Sequence, residues 1–548
     1  MQSFLPASFM LKKPSLTLMI LFVYLSSAAQ NNSIPHLEKN KNSVQLFVHN
    51  KPFLICGGEL GNSSASVTEY MRPVWQKLKA MQLNTVLMPV YWELIEPEEN
   101  KFDFTLVDSL IANAHASNLH LVLLWFGTWK NSMSCYVPQW IKTNIKKFER
   151  TIDKQGKAVE IISAFSKEAL EADKKAFATL MNHVKITDAV NQTVIMVQVE
   201  NEVGMLNTAK ETTAAALKLF GQQVPGELVQ YLQKNKDDLV PEFKQRWQLH
   251  GFKTGGTWQQ VFGEDLATDE IFQAYYYASY VNEVAKAGKA MYNLPVYVNA
   301  ALNRPGVLPG DYPSAGPLPQ VMDIWKFAAP AIDLLSPDFY NPDTKYWCDL
   351  YTRRNNILFV PEMRFDSTCG AKALFIAGHY NALGFSPFSI ENIDGKPAEN
   401  LQKSYNILQQ LSPYILQEKN IVKTDGVLLD KNKSIDTLAF GKYIFKISHD
   451  NMLGWNGHKE DAVWDVTGAI IIQTSDDDFI IGGSGIVINF FCVDSTNNAG
   501  IAAVEKGQFE NDTWKTILRL NGDQTHQGRH LRIPLNEWDI QRLKLYQY

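Results

Sequence analysis

Two glutamates stand where apolar runs stop. Val194-Ile195-Met196-Val197-Gln198-Val199 leads into Glu200-Asn201-Glu202, and Ile357-Leu358-Phe359-Val360-Pro361 leads into Glu362. A strand covered on both faces reads as a nearly continuous apolar run, so the polar residues that end it sit at its carboxyl tip. Carboxyls delivered this way from two separate strands suit the cleavage of a glycosidic bond. One carboxylic acid protonates the departing oxygen while the other, ionised, attacks the anomeric carbon. A single glutamate at a strand end is as readily a loop salt bridge. The Asn-Glu pair at one tip and a second glutamate at another mark Glu202 and Glu362 as the catalytic candidates.

Those tips need a scaffold that brings distant strands to one face. Strand candidates recur at 53–57, 85–89, 119–125, 194–199, 296–299, 332–336, 357–360 and 382–386, separated by amphipathic helical stretches. Apolar strands alternating with helices predict a parallel sheet, and eight of them are the number that closes a (β/α)8 TIM barrel, whose active site gathers at the carboxyl ends of the strands. A doubly wound sheet is the competing fold, but no GxGxxG follows the first strand. Residues 208–263 form the largest insertion, rich in Lys and Gln. With Tyr91, Trp125, Phe126 and Trp129 near the expected mouth, it is expected to close a groove into a pocket for one sugar. Trp125 and Trp129 are candidate stacking platforms for an apolar sugar face. Short β-type runs such as 442–447, 468–473 and 486–491, separated by Asp476-Asp477-Asp478 and Gly482-Gly483-Ser484-Gly485, predict a C-terminal β-sandwich. The expected division is a signal peptide over 1–29, a polar leader over 30–43, the barrel over 44–413 and the sandwich over 414–548.

Val197-Gln198-Val199-Glu200-Asn201-Glu202-Val203-Gly204 resembles the acid/base signature of glycoside hydrolase family 35, the β-galactosidases, in the bacterial branch with a short C-terminal β-domain. Gly57-Gly58-Glu59-Leu60 and Tyr91-Trp92-Glu93-Leu94-Ile95-Glu96-Pro97, followed by Phe102-Asp103-Phe104, resemble its first- and second-strand motifs. The resemblance implies Glu202 as proton donor and Glu362 as nucleophile of a retaining exo-β-galactosidase. It further implies that Asn201 binds the sugar 2-hydroxyl, that Tyr340 in Ser336-Pro337-Asp338-Phe339-Tyr340 steadies the nucleophile, and that Glu59 and Tyr91 meet sugar hydroxyls. Three departures weaken the sugar assignment. Glu93 and Ile95 replace an asparagine and a histidine, and Trp125-Phe126-Gly127-Thr128-Trp129 replaces an alanine-glutamate pair on the third strand. A β-arabinosidase or fucosidase of the same clan is therefore the alternative enzyme, and a barrel that binds sugars without turnover is the alternative class.

Composition narrows the partners. A formal charge of −5 over 548 residues offers no basic surface for nucleic acid. Lys12 and Lys13, the apolar run 16–25 and the small residues Ser27-Ala28-Ala29 have the form of a secretory signal peptide, predicting export to the periplasm or medium, and no further span is expected. Five scattered cysteines show neither paired zinc spacing nor a disulfide framework. No cofactor or metal is called for, and the expected partner is an oligosaccharide or polysaccharide. His120, alone in an apolar strand, is read as core.

Overall fold

A computed structural model describes residue 1 and residues 33–548 except 40–43, 154, 304–305, 418–421, 456–461 and 521. The signal-peptide segment lies outside the described residues. What the sequence suggests as a polar leader contains a strand: His36–Lys39 pairs antiparallel with Val44–Val48, which pairs with Lys51–Phe53. The hairpin turns at His49 and Asn50, whose φ values of 49° and 61° match the right-handed twist of the flanking strands.

The barrel strands are β1 (Ile55–Glu59), β2 (Thr85–Tyr91), β3 (His120–Lys130), β4 (Val194–Asn201), β5 (Val296–Ala301), β6 (Leu334–Phe339), β7 (Glu362–Met363) and β8 (Gly384–Phe385). From β1 to β7 each hydrogen-bonds to its neighbour in sequence, all in parallel, and β8 pairs with β1, which excludes the doubly wound order. The ring closes where Leu383 N–H donates to Leu358 O at 2.9 Å and Val360 N–H to Gly384 O at 3.2 Å. All of β2 and all of β4 are buried, which explains their unbroken apolar runs.

The seventh strand departs from its predicted place. Residues 357–360 hold the closing bonds to the eighth strand's segment, whereas regular pairing with β6 begins only at Glu362. Pro361, which has no N–H, separates the two halves. β6 also runs three residues beyond its predicted end and so carries Asp338 to the mouth. The insertion folds as four helices, Ala214–Phe220, Gly226–Lys234, Pro241–Leu249 and Trp258–Phe262. They pack outward against the helix Leu266–Met291, with Phe220 and Trp258 centred 5.0 and 5.4 Å from Phe272.

The C-terminal sandwich is a six-stranded and a four-stranded antiparallel sheet. Val427, Ala469, Ile471, Phe479 and Ile481 of the larger sheet join Phe445, Ile447 and Ile488 of the smaller one in a shared core. The alternate residues Ile470, Ile472, Ile480 and Ile540 belong to the barrel's core instead. The larger sheet is thus apolar on both faces and seals onto the helices that follow β7 and β8. Glycines allow the approach: a Cβ on Gly468 would stand 2.6 Å from Ala371 O, and one on Gly482 2.6 Å from the Ile407 side chain. Gly482-Gly483-Ser484, expected as a turn, therefore continues a strand, and the turn falls at Gly485 with φ 69°.

Gly468→Val should destabilise the protein by about 1–3 kcal/mol, the usual cost of forcing extra carbon into a packed contact. Chemical denaturation checks this, and an unchanged midpoint would show that the barrel and sandwich do not meet so closely.

Candidate functional site

The end of β4 is bent to present its side chains. Glu200 and Glu202 both adopt left-handed backbone, φ 61° and 46°, a conformation unfavourable for residues with a Cβ. Two fixtures hold it. Asn299 of β5 accepts the Glu202 N–H through Oδ1 at 2.9 Å, and Glu202 O accepts Ser132 N–H at 3.1 Å. Opposite, β3 bulges: its register with β4 jumps between Trp125 and Lys130, so Lys130 faces Asn201. The bulge wraps around the Glu200 carboxylate, whose Oε2 accepts Trp129 N–H at 2.6 Å. A side chain on Gly127 would collide with Trp125 Nε1 and Glu200 Oε1, its Cβ standing 2.2 and 2.8 Å away.

Glu200 in turn meets Asp173 of the helix Lys167–Asp188, carboxyl against carboxyl, and both are fully buried. Trp125 Nε1 donates to Asp173 Oδ1 at 2.9 Å and Thr128 Oγ1 to Oδ2 at 2.7 Å. Burial and the facing Asp173 charge push the Glu200 carboxyl well above its usual range.

The third-strand tryptophans are therefore structural. Trp125 and Trp129 are both 0% exposed, and Trp129 Nε1 donates to Ile162 O at 3.1 Å. A stacking platform needs an open ring face, which neither offers, so their expected sugar contact is corrected to core packing. Tyr91 is also buried, with its hydroxyl given to Asn62 O at 2.7 Å and its ring against Phe126 and Tyr136. Glu391 accepts Gly61 N–H at 3.0 Å and the Ser64 hydroxyl, tying the loop after β8 to the loop after β1. His120 is core, its Nδ1 2.9 Å from Gln192 O.

The remaining candidates converge. One carboxyl oxygen from each of Glu202, Asp338 and Glu362 lies within 4.8 Å of the other two. Tyr340 donates its hydroxyl to Glu362 Oε1, and Asn131 Nδ2 donates to Glu202 Oε2. Glu59 is 0% exposed with both carboxyl oxygens unpartnered, and Asn201 is 0% exposed with neither amide atom satisfied. Buried polar groups without partners are uncommon in folded proteins and suit hydroxyls of a ligand. A cavity of about 600 Å³ opens over the cluster, lined by Glu202, Asp338, Tyr340, Asn303, Tyr312 and Arg364. None of the 214–262 helices lines it. The loop after β5 supplies the wall expected of the insertion.

Electrostatics bind these groups into one unit. Burial first, and then the Glu202 charge, raise the Glu362 carboxyl to about 7. Burial raises Glu202, and burial with Glu362 raises Glu59 well above the carboxylate range. Lys130, 4% exposed, opposes all three shifts with its ammonium. Three carboxyls this close have the reach to converge on a cation, but the donors already on Glu202 and Glu362 assign the cluster to proton chemistry. Asp338, Lys130, Asn131 and Asn299 were not singled out from sequence. Asp338 obeys the same strand-end rule as the two glutamates, and it is the one of the four that the sequence pattern signals.

Residues 45–242 match the family described as Glycosyl hydrolases family 35, and residues 401–532 match a domain of unknown function, DUF5597. The first match includes Glu202 and ends before Glu362. No curated protein matches the chain. Among solved structures it is similar to the β-galactosidase of Bacillus circulans sp. alkalophilus, at 15% identity and TM-score 0.46 over 66% of this chain and 57% of that one. The β-galactosidase of the psychrophilic Marinomonas ef1 aligns at 12% identity and TM-score 0.45 over 66% and 61%. The chain thus spans less than two thirds of the length of these structures.

Proposed function

We propose that the protein is a retaining exo-β-galactosidase that removes terminal β-linked galactose from oligosaccharides or polysaccharides, with Glu362 as nucleophile and Glu202 as acid/base. One observation carries the reaction type: the Glu202 and Glu362 carboxyls approach within 4.8 Å. Retaining enzymes hold the pair about 5–5.5 Å apart, whereas inverting ones need about 6.5–9.5 Å to seat a water between them.

In the first step Glu362 attacks the anomeric carbon, and the bond to the leaving oxygen breaks as Glu202 gives that oxygen its proton. The resulting glycosyl ester on Glu362 is then cleaved by water, whose proton passes to Glu202. Tyr340 holds Glu362 by its Oε1, leaving the carboxylate's other oxygen for attack. Asn201 and Glu59, buried and unpartnered, are the groups that meet sugar hydroxyls, and their depth in the barrel supports a site ending after one sugar. Galactose itself is supported by the motif resemblance and the family match over the first half of the barrel. Export belongs to the same proposal, on the charged-then-apolar pattern of Lys12 to Leu25.

Glu202→Gln should slow glycosides with poor leaving groups by about 100-fold or more, within the usual range for general acid catalysis, and activated aryl glycosides far less. Equal losses in steady-state kcat/KM for both classes would remove Glu202 as the proton donor. With a galactose-capped oligosaccharide, free galactose should appear before any shortening of the backbone in a chromatographic time course. Internal fragments appearing first would refute exo action, and another monosaccharide would refute galactose alone.

A further inference from the structure

Asp338 lies among the catalytic carboxyls without a part in the two-carboxyl reaction. Its side chain is 1% exposed, at the end of β6, and it borders the cavity. Asn299 Nδ2 donates to Asp338 Oδ2 at 2.7 Å, and the same amide's Oδ1 takes the Glu202 N–H at 2.9 Å. One asparagine therefore fixes Asp338 and Glu202 relative to each other. The other oxygen, Oδ1, is buried and receives no donor. One carboxyl oxygen of Asp338 lies within 4.8 Å of one oxygen each from Glu202 and Glu362.

Two carboxylates cannot hydrogen-bond to each other unless one keeps a proton. Each of the three carboxyls has one outside donor, Asn131 on Glu202, Tyr340 on Glu362 and Asn299 on Asp338, so donors alone do not choose among them. Lys130 draws on both glutamates and on Glu59. Asp338 faces Glu202, Glu362 and Glu59, with the phenols of Tyr297, Tyr340 and Tyr351 around it. That ring supplies acids on every side. Burial and the charges of Glu362 and Glu202 hold its carboxyl well above the usual range.

We propose that Asp338 is a positioning residue that stays a neutral carboxylic acid and donates its proton in a hydrogen bond to Glu202. The proposal rests on Glu202 being the acid/base. When Glu202 gives its proton to the leaving oxygen, the electron pair of the broken O–H bond stays on Glu202, and the Asp338 hydroxyl stabilises that new charge without transferring its own proton. When water later returns a proton to Glu202, the contact relaxes. An aspartic acid kept neutral at neutral pH by its surroundings makes a donor of a residue type that otherwise only accepts.

Substitution separates this from an ionised Asp338. Asparagine has nearly the same shape, can accept from Asn299 through its oxygen and can donate to Glu202 through its nitrogen. Asp338→Asn should leave the alkaline limb of the kcat/KM profile, which follows Glu202, in place. Asp338→Ala removes the donor, so the folded protein should show that limb raised by about one pH unit, with a larger rate loss on poor leaving groups than on activated ones. A limb lowered in Asp338→Asn would show that a negative charge had been removed, and would overturn the proposal, as would an unmoved limb in Asp338→Ala. Infrared difference spectra give a readout independent of turnover. The protonated-carboxyl stretch at neutral pH should lose intensity in Asp338→Asn, and identical spectra would overturn the proposal. If that band is lost but the wild-type protein cleaves no β-glycoside, it is the acid/base reading of Glu202 that fails, and the assigned role fails with it.

Discussion

Four carboxyl groups, Glu59, Glu202, Asp338 and Glu362, are buried close together, and the Lys130 ammonium acts on the three glutamates. They cannot all be ionised. Two unit charges at the cluster's spacing repel by about 3–4 kcal/mol even at an effective dielectric of about 20, and burial adds a further cost to each charge. The surroundings must therefore decide which groups keep protons. That decision separates the two glutamates proposed as catalytic, since in that reading one must arrive with a proton and the other without. Each of three accepts one donor, Tyr340 on Glu362, Asn131 on Glu202 and Asn299 on Asp338, and the Lys130 ammonium favours the ionised form of Glu59, Glu202 and Glu362.

Holding such a cluster together requires a scaffold that does not relax. The left-handed backbone at Glu200 and Glu202 and the bulge across 125–130 are unfavourable locally and are maintained by what surrounds them. Beneath them the Asp173–Glu200 pair, with Trp125, Thr128 and the Trp129 amide, fills the space between β3, β4 and the helix 167–188 with polar contacts. This buried carboxyl pair anchors the strand that leads to Glu202. The two networks meet at the end of β4, where left-handed backbone at Glu200 and Glu202 breaks the regular strand geometry and lets the first serve one network and the second the other. The third-strand motif that sets this chain apart from the pattern it resembles is thus a structural replacement.

Much of the barrel was legible because its strands are covered on both faces, which leaves runs such as Val194–Val199 that few other structures produce. Glu202 and Glu362 were legible for the same reason, as the polar ends of such runs. Strand 7 was misplaced by a few residues because Pro361 splits its pairing between two neighbours, and apolar character does not record which neighbour a strand bonds. Trp125 and Trp129 were misread because an aromatic at a strand end looks the same in sequence whether its ring faces solvent or a buried carboxyl. Lys130 and Asn131 lie past the predicted end of the third strand, and only the bulge brings them back over the site. The insertion's outward packing depends on Phe272 far downstream, a contact that composition does not encode.

The sandwich shares its larger sheet with the barrel, so the helices following β7 and β8 are clamped from outside while β7 presents Glu362 inside. Everything converges on the separation of two carboxyls. Proton NMR of the first product released from a β-glycoside tests that separation directly, before the free sugar equilibrates. The short Glu202–Glu362 approach predicts the β-anomer first, through two displacements at one carbon. The α-anomer appearing first would mean a single displacement by water, and would contradict the assignment of Glu362 as nucleophile.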